Sequence, residues 1–566
     1  MPIGPHAVSY EAHRPVVMGR KGMVSSGHPL ASQAGMVMLQ KGGNAIDAAA
    51  ATAAALNVVE PMMSGIGGDG FIMAYIKDRD ELKVVNATGA APLAATLDRY
   101  PKGIPLKGIM SILTPGLLQG WYEAHKRYGK LEWSEVLEPA IDLAENGFPV
   151  SHHLSKAIAA DTLLCQFPTS RAIFTRDGKP LQPGQVLYQQ DLARTLVRIA
   201  QDGPAVFYEG DVAQAIVKFC QSQGGLLSLQ DLKRHKARWQ DAIGTTYRGH
   251  TVYEAPPNSS GHVLLQELNL AETFDLKSMG CNTAECIHLM VEAKKLAFAD
   301  REAYLADPEF VDVPIPGLLS KDYARERARL IDPHRAAVGV KAGDPWRYQG
   351  NGARPPKRIS KVGVPREDTT CFAVVDQWGN AVSQLQSLQS AFGSSLVAAG
   401  TGVLLNNRMS YFHLDPNHVD KLEPGKRVRH TMNPVMVFRQ GANGRRELAL
   451  ACGTPGADTQ VQTNFQVITH VLDFGMTVQE AVEAPRWRSL QNGTESTFPH
   501  TCEDEVWIES RFPKDVVAGL EKKGHALKDI GPWVGTGSEV MIWSDGVEGA
   551  LHGAADPRRD AYAVGW

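Results

Sequence analysis

The sequence lacks the features that would place it in a membrane, on nucleic acid or among disulfide-stabilised proteins. It has no run of about 18 apolar residues, which excludes a transmembrane helix, and its first thirty residues lack the apolar stretch of a secretory signal. Lys and Arg number 58 against 61 Asp and Glu, and the net charge of −3 gives no footprint for nucleic acid. The seven cysteines include no Cys-x-x-Cys pair, which favours reduced thiols over a disulfide framework or zinc site. We therefore expect a cytoplasmic protein with no nucleic-acid or membrane partner.

The chain is long enough for a large core, with 566 residues of which 43% are hydrophobic. Apolar spacing, caps and breakers predict both helices and strands. The predicted helices cover 29–41, 45–59 with Asn44 as its cap, 116–128, 133–145, 284–304 and 465–474. The predicted strands cover 71–75, 371–376, 381–388, 403–407, 435–439 and 447–452.

One junction in the chain separates two kinds of sequence. Residues from about 332 to 368 are rich in Gly, Pro and basic residues without an apolar period, which predicts an exposed, mobile segment. A sharply defined hairpin follows at once, and Asp368-Thr369-Thr370 lies at the boundary. A break in the chain here would place a new N-terminus at the start of a strand.

Thr369 acquires a chemical role if the peptide bond before it is cleaved. A threonine hydroxyl is a poor nucleophile without a base, and the freed α-amine, with a reference pKa of roughly 7.7–8.0, supplies one. Such a nucleophile attacks an amide and forms an acyl-enzyme. A Thr-Thr pair at a strand start is by itself ordinary, because threonine is favoured in strands.

Other segments offer partners for this chemistry. The turn Gly453–Asp458 (GTPGAD) follows a predicted strand, and its backbone N–H groups can form an oxyanion hole; an ordinary strand-to-helix turn is the alternative. Ser387 and Gln389 alternate on the second hairpin strand and can face Thr369. They can equally be polar residues on a hydrated sheet face.

Taken together, these motifs resemble the γ-glutamyltransferases, a family of N-terminal-nucleophile hydrolases. The resemblance extends from about Gly22 to Ala563 and includes GMVSSGHPLAS, EPMMSGIGGDGF, DTTCFAVVDQWGNAV, GVLLNNRMSYF and GTPGAD. It implies an α/β fold, the four-layer αββα sandwich, in a precursor that cleaves itself between Asp368 and Thr369. Residues 1–368 would form the large subunit and 369–566 the small subunit, both intertwined in one structural unit.

The resemblance also implies roles for individual residues. Thr369 would be the nucleophile of both autocleavage and turnover. Ser387 falls where the family has a threonine that hydrogen-bonds the nucleophile. Gly456 and Ala457 fall on the glycine pair of the oxyanion hole, and the alanine keeps its N–H provided that the backbone does not require a positive φ. No cofactor is needed.

The substrate pocket departs from the family pattern at three elements. Thr88 stands where γ-glutamyl-binding members have an arginine for the α-carboxylate, and the next arginine along the chain is Arg99. Tyr411 replaces the carboxylate that holds the α-amino group, and Arg408 replaces a glutamine. The paired serines become His430-Thr431.

These exchanges remove both charge partners of a zwitterionic glutamyl head, so glutathione is expected to bind poorly. Arg408, Tyr411 and His430 suit an acyl group that has a carboxylate but no amine. The alternatives to these substrate-binding roles are that Arg408 is a surface residue and that His430 is a satisfied core histidine. The alternatives within the family are glutathione hydrolase or γ-glutamyltransferase proper, a glutaryl (cephalosporin) acylase and an oxamate-type amidohydrolase.

Two further interpretations concern the class of protein and its reaction. The stretch between Phe412 and Pro424 is shorter than in family members with a lid, which favours hydrolysis over transpeptidation. The alternative outside enzymes is an uncleaved relative that binds a small molecule. No spacing of histidines in the sequence predicts a metal site, since His152-His153 is an isolated pair. The expected partners are a small-molecule amide substrate and the two subunits of one precursor; a dimer of αβ units is left open.

Overall fold

The computed structural model describes residues 12–350, 368–441, 444–491, 496–534, 537–546 and 548–566. The strands are β1 Val17–Gly19, β2 Gly22–Ser26, β3 Asp69–Ile76, β4 Glu81–Ala87, β5 Phe148–Pro149, β6 Thr175–Arg176, β7 Lys179–Pro180, β8 Val186–Leu187, β9 Arg238–Asp241, β10 Ile243–Tyr247, β11 His250–Glu254, β12 Asp368–Asp376, β13 Ala381–Gln389, β14 Val397–Ala398, β15 Val403–Leu404, β16 Val435–Gln440, β17 Arg446–Gly453, β18 Trp487–Ser489, β19 Val506–Ile508, β20 Leu527–Asp529, β21 Val540–Ser544, β22 Leu551–Ala555 and β23 Tyr562–Gly565.

The helices are α1 Pro29–Gln40, α2 Ala45–Val59, α3 Leu117–Tyr128, α4 Trp133–Glu145, α5 His152–Ala160, α6 Pro168–Phe174, α7 Gln190–Asp202, α8 Ala205–Tyr208, α9 Asp211–Ser222, α10 Leu229–Arg234, α11 Gly261–Ala271, α12 Leu276–Met279, α13 Ala284–Tyr304, α14 Ile315–Leu318, α15 Lys321–Ala328, α16 Thr459–Leu472, α17 Val478–Glu483 and α18 Lys514–Lys522. Single 3-10 turns cover Lys77–Arg79, Leu97–Arg99, Ile109–Ser111, Pro345–Tyr348 and Arg408–Tyr411.

Two seven-stranded antiparallel sheets form the centre of the molecule. Sheet I has the order β23-β2-β12-β13-β3-β4-β9, and sheet II has the order β1-β22-β21-β17-β16-β11-β10. One apolar cluster lies between the sheets, and two others join helices to their outer faces: α1 to α4 on sheet I, and α11, α13 and α16 on sheet II. The four layers confirm the predicted αββα sandwich.

Alternation along β12 shows how the sequence assigns its side chains to layers. Cys371, Ala373 and Val375 belong to the cluster between the sheets, whereas Phe372 and Val374 belong to the cluster under α1 to α4. Successive side chains of a strand point to opposite faces, so Thr369 shares the inter-sheet side and Thr370 the helix side. Strand β12 is therefore buried on both faces, which explains its continuous apolar run from Cys371 to Val375.

Helix α2 covers sheet I and is entirely buried. Asn44 begins it as predicted: its Oδ1 accepts the N–H groups of Ile46 and Asp47, and the Asp47 carboxylate accepts the Asn44 N–H. This reciprocal cap satisfies donors that a buried helix end cannot give to water. The alanines that follow allow close contact with the neighbouring helices and the sheet.

The structure corrects two boundaries. The helix predicted over 465–474 begins six residues earlier, at Thr459, because the preceding turn ends at Asp458. The strand predicted over 403–407 is limited to Val403–Leu404.

The segment 332–368 was predicted to be exposed, and much of its described part, including residues 332–335, 338 and 339, is exposed. Pro345 and Trp346 are nevertheless buried, and the Gly343 carbonyl accepts the Tyr304 hydroxyl at 2.6 Å. Residues 351–367 lie outside the described part of the chain.

Two expectations on composition can also be compared with the structure. All seven cysteines are free thiols. Within the described ranges, no helix is both long and apolar enough to cross a membrane.

Candidate active site

Thr369 lies at an irregularity in the central hairpin of sheet I. Asp368 pairs with Gln389 and Thr370 pairs with Gln386, so the register shifts across Thr369. The extra residue is on β13, where Ser387 and Leu388 lie opposite the single residue Thr369, as in a β-bulge. Thr369 is 2% exposed.

The two adjacent threonines face different partners. Thr369 Oγ1 accepts a hydrogen bond from Gln460 Nε2 at 3.4 Å, in the first turn of α16. Thr370 Oγ1 donates to Glu60 Oε2 at 2.5 Å, at the end of α2. Only Thr369 therefore faces the turn that precedes α16.

That turn has the geometry of an anion site. Gly456 has φ +122° and Ala457 has φ +52°, and within the described chain neither backbone N–H donates a hydrogen bond. Backbone N–H donors without a partner are what an oxyanion hole requires. The predicted role of Ala457 required that its backbone not need a positive φ, and this condition is not met. Its backbone is left-handed, which costs roughly 1–2 kcal/mol for a residue with a Cβ. The N–H itself is retained.

A buried ion pair fixes the end of this turn. Asp458 accepts Ser496 N–H and Ser496 O–H, each at 2.7 Å, and forms an ion pair with Arg301 from α13. Burial alone would raise the pKa of Asp458, but the charges of Arg301 and Arg429 outweigh it and lower that pKa. The carboxylate is therefore ionised at neutral pH and anchors the turn.

Ser387 and Gln389 are both buried on β13, but they do not continue a regular strand. Gln389 has φ +95°, and its N–H donates to Ser387 Oγ at 2.8 Å. The Gln389 side chain donates to Thr497 Oγ1 at 3.0 Å and accepts from the Ser390 hydroxyl at 2.8 Å. The interpretation as polar residues on a hydrated sheet face is therefore wrong.

A charged cluster lies beside the start of β3. Arg408 is fully buried, which excludes a surface role; its Nε lies 3.8 Å from Asp69 Oδ2, and its guanidinium stacks on Tyr411 at 4.8 Å. Within the described residues, Arg408 Nε and Nη2 and Asp69 Oδ2 have no hydrogen-bond partner. Buried polar groups left this way are costly, which makes this cluster a candidate for binding a further partner.

His430 completes this cluster. Its Nε2 is 4.0 Å from Asp69 Oδ2, and neither ring nitrogen has a hydrogen-bond partner in the described chain, so it is not a satisfied core histidine. Burial, reinforced by Arg408, holds the pKa of His430 well below its usual range. Burial raises the pKa of Asp69 to about 6, although Arg408 opposes this. At pH 7 the cluster therefore combines one cation, a mostly ionised carboxylate and a neutral imidazole.

The other predicted pocket residues lie at different distances from this cluster. Thr431 Oγ1 is 3.2 Å from the Tyr411 hydroxyl, so these two residues meet. Thr88 Oγ1 donates to Asn86 Oδ1 at 2.7 Å, a contact within the protein. Arg99 is exposed, which makes it a poor substitute for the family's arginine.

Sequence reasoning missed Gln460, Asp69 and the Arg301–Asp458 pair. A charged residue inside the glycine-dense turn that begins a buried strand was a signal for Asp69. Gln460 follows the GTPGAD turn by two residues, where the first turn of a helix can face back toward the preceding strand. Arg301 gave no local signal, because its partner is 157 residues away in the chain.

The chain is similar to known proteins over almost its whole length. The family model described as gamma-glutamyltranspeptidase matches residues 31–566. The chain is 41% identical to the glutathione hydrolase-like YwrD proenzyme of Bacillus subtilis (strain 168), over 97% of this chain and 99% of that one. It is 36% identical to the acylase ACY 1 proenzyme of Pseudomonas sp. (strain V22), over 99% and 96%.

A solved structure provides the same result in three dimensions. The cephalosporin acylase from Bacillus halodurans superposes with a TM-score of 0.87 at 34% identity, covering 99% of each chain. This chain belongs to the gamma-glutamyltranspeptidase family and is an enzyme of the N-terminal-nucleophile hydrolase and acyltransferase type.

Proposed function

We propose that this protein is an autoprocessing amidohydrolase that cleaves amides whose acyl group carries a carboxylate, with Thr369 as the nucleophile. The observation that carries the proposal is the buried Arg408 guanidinium, two of whose nitrogens have no hydrogen-bond partner among the described residues. A guanidinium presents its donors in a planar fork that matches a carboxylate. The adjacent neutral His430 can add a further hydrogen bond.

Maturation makes the base that turnover requires. The Thr369 hydroxyl attacks the carbonyl carbon of Asp368, the peptide nitrogen leaves as an amine, and water hydrolyses the resulting ester. The products are residues 1–368 and 369–566, and the second begins with a free α-amine next to its own hydroxyl.

Turnover repeats the chemistry on a substrate amide. The α-amine takes the hydroxyl proton as Thr369 Oγ1 bonds to the carbonyl carbon, and the N–H groups of Gly456 and Ala457 stabilise the oxyanion. The proton passes to the leaving amine, and water then releases the acid from the acyl-enzyme. Gln460 Nε2, at 3.4 Å from Oγ1, orients the hydroxyl.

A second candidate is hydrolysis of γ-glutamyl amides, and Asp69 is the observation that favours it. Its Oδ2 is buried and has no hydrogen-bond partner among the described residues. A substrate ammonium could pair with Asp69 while the substrate carboxylate pairs with Arg408. This would restore recognition of a zwitterion with different residues, consistent with the names of the glutathione hydrolase relatives.

Two substrates that differ by one amine separate these candidates. The kcat/KM of purified enzyme is measured with glutaryl-4-nitroanilide and with γ-glutamyl-4-nitroanilide, for wild type and Asp69→Asn. Preference for the glutaryl compound, undiminished in Asp69→Asn, supports the first candidate. Preference for the γ-glutamyl compound, lost in Asp69→Asn, supports the second; if processed enzyme cleaves neither, both are wrong.

Hydrolysis is expected to exceed transfer to an acceptor amine. The stretch between Phe412 and Pro424 is short, and its described side chains His413 and His418 are buried, so it offers little chain for a separate lid. A site without a lid favours attack of water on the acyl-enzyme. With glycylglycine as acceptor, most of the acyl group should appear as free acid by chromatography; a dominant dipeptide adduct would contradict this.

A further inference from the structure

Two histidines and a glutamate meet in the interior behind sheet II. His288 and Glu292 lie one turn apart on the same face of α13, and His525 lies just before β20. Their exposed fractions are 1%, 2% and 3%. One ligating atom from each lies within 4.8 Å of the other two. Imidazole and carboxylate donors in this combination are those of His2Glu zinc sites.

Each imidazole has an inner nitrogen, which points toward the other histidine, and an outer nitrogen, which points away from it. The outer nitrogen of each ring faces an oxygen. His288 Nε2 lies 2.8 Å from the Asp332 carbonyl oxygen, and His525 Nδ1 lies 2.8 Å from Gln491 Oε1. A carbonyl oxygen only accepts, so each of these nitrogens carries the ring proton in this arrangement. Metal-binding histidines almost always donate their second N–H to such an oxygen.

The inner nitrogens consequently face each other with lone pairs. His288 Nδ1 and His525 Nε2 are 2.8 Å apart. A neutral imidazole has a single N–H, and in each ring that N–H is the one that faces the carbonyl oxygen, so both inner nitrogens have a lone pair. Two opposed lone pairs repel each other, whereas a cation that both can bind removes the conflict.

We propose that His288 Nδ1, His525 Nε2 and Glu292 bind one divalent cation of the zinc class. Glu292 Oε1 accepts Lys295 Nζ at 2.6 Å, and among the described residues Oε2 accepts only the Ala337 N–H at 3.2 Å, so Oε2 has a lone pair for the ion. A tetrahedral ion about 2.0–2.1 Å from each nitrogen requires the two nitrogens to separate by about half an ångström. The ion would tie α13 to the chain at His525.

A second cluster with the same ligand types provides the contrast. Glu302 Oε2 lies 4.0 Å from His413 Nε2 and 3.9 Å from His418 Nε2. His418 Nδ1, however, accepts the Asp420 N–H at 3.0 Å, so the proton of the neutral ring is on Nε2, toward Glu302. That nitrogen has no lone pair for a metal, and this cluster should not bind an ion.

The test compares matched substitutions in the two clusters. Wild type, His525→Asn and His418→Asn are incubated with Zn2+, dialysed against buffer, and their bound zinc is measured by mass spectrometry. We expect one equivalent in wild type and His418→Asn, and none in His525→Asn. Co2+ added to wild type should give the visible absorption of a nitrogen- and oxygen-ligated ion, and Zn2+ should raise its melting temperature.

Two results would overturn the site. If wild type retains no ion and shows neither the Co2+ absorption nor the shift in melting temperature, the Gln491 amide is turned instead. Its NH2 then donates to His525 Nδ1, and the two histidines share an ordinary hydrogen bond. Loss of zinc in His418→Asn with retention in His525→Asn would place the ion in the other cluster. The measurements on wild type decide the proposal even if His525→Asn does not fold.

Discussion

Replacing Thr369 with alanine is expected to leave the protein as one 61.5 kDa polypeptide without amidase activity. Wild type should separate on a denaturing gel into fragments of about 40 and 22 kDa, the shares of 368 and 198 residues, because the Thr369 hydroxyl breaks the preceding bond. The effect is complete, since the alanine variant has neither the attacking oxygen nor the freed amine beside it.

Thr369→Ser is the control for this result, because it keeps the hydroxyl and should still process, with intact masses that place the cut after Asp368. Thr370→Ser tests the neighbouring residue, whose hydroxyl bonds Glu60 on the other side of the sheet, and it should process normally. If the Thr369→Ala variant were still cleaved, the nucleophile of autocleavage would be another residue. An intact but folded wild type would support the uncleaved binding protein.

Replacing Arg408 with glutamine is expected to lower kcat/KM on the preferred carboxylate-bearing amide by at least about 30-fold, since losing one partner of a buried charge pair costs roughly 2–5 kcal/mol. Autocleavage should continue, because the bond between residues 368 and 369 needs no substrate carboxylate. The measurement is kcat/KM on glutaryl- and γ-glutamyl-4-nitroanilide, with the extent of processing read on the same preparations.

Arg99→Gln is the matched control, since Arg99 is exposed. It should retain wild-type kcat/KM. If Arg408→Gln retained it as well in fully processed enzyme, Arg408 would serve only to balance Asp69. Acetyl-4-nitroanilide, which has no carboxylate, provides a second control: its slow cleavage should not depend on Arg408.

Many helices and strands could be predicted from sequence because their signals are local, whereas the four-layer sandwich was implied by the resemblance to the γ-glutamyltransferases. The alternation of Cys371 to Val375, the cap at Asn44 and the change of composition at Asp368 are each read within a few residues. The boundary of α16 was missed because apolar spacing identifies only its later part. The turn before it, with Ala457 in a left-handed conformation, decides where the helix begins.

The charged pocket shows what sequence could not supply. Arg408, Tyr411 and His430 were identified through their departure from a family pattern, and the structure brings them together. Asp69 was not, because its effect depends on burial against residues more than 300 positions away. The prediction was that the pocket has no carboxylate for the α-amino group of a γ-glutamyl substrate, and Asp69 is a carboxylate in this pocket. The histidines at 288 and 525 likewise meet only through tertiary packing.

The strand order has a consequence for how the mature enzyme is put together. In sheet I, β12 and β13 lie between β2 and β3, and β23 borders β2 on its other side. In sheet II, β16, β17, β21 and β22 lie between β11 and β1. Neither cleavage product is thus a domain, since each sheet alternates between the two.

Folding of the intact precursor is accordingly a unimolecular event, whose yield does not depend on dilution. Once the bond before Thr369 is broken, the same architecture can be regained only when two chains collide and thread their strands between each other. The scission that creates the catalyst also makes its unfolding difficult to reverse, so the lifetime of the mature protein depends on the unfolding barrier more than on its equilibrium stability.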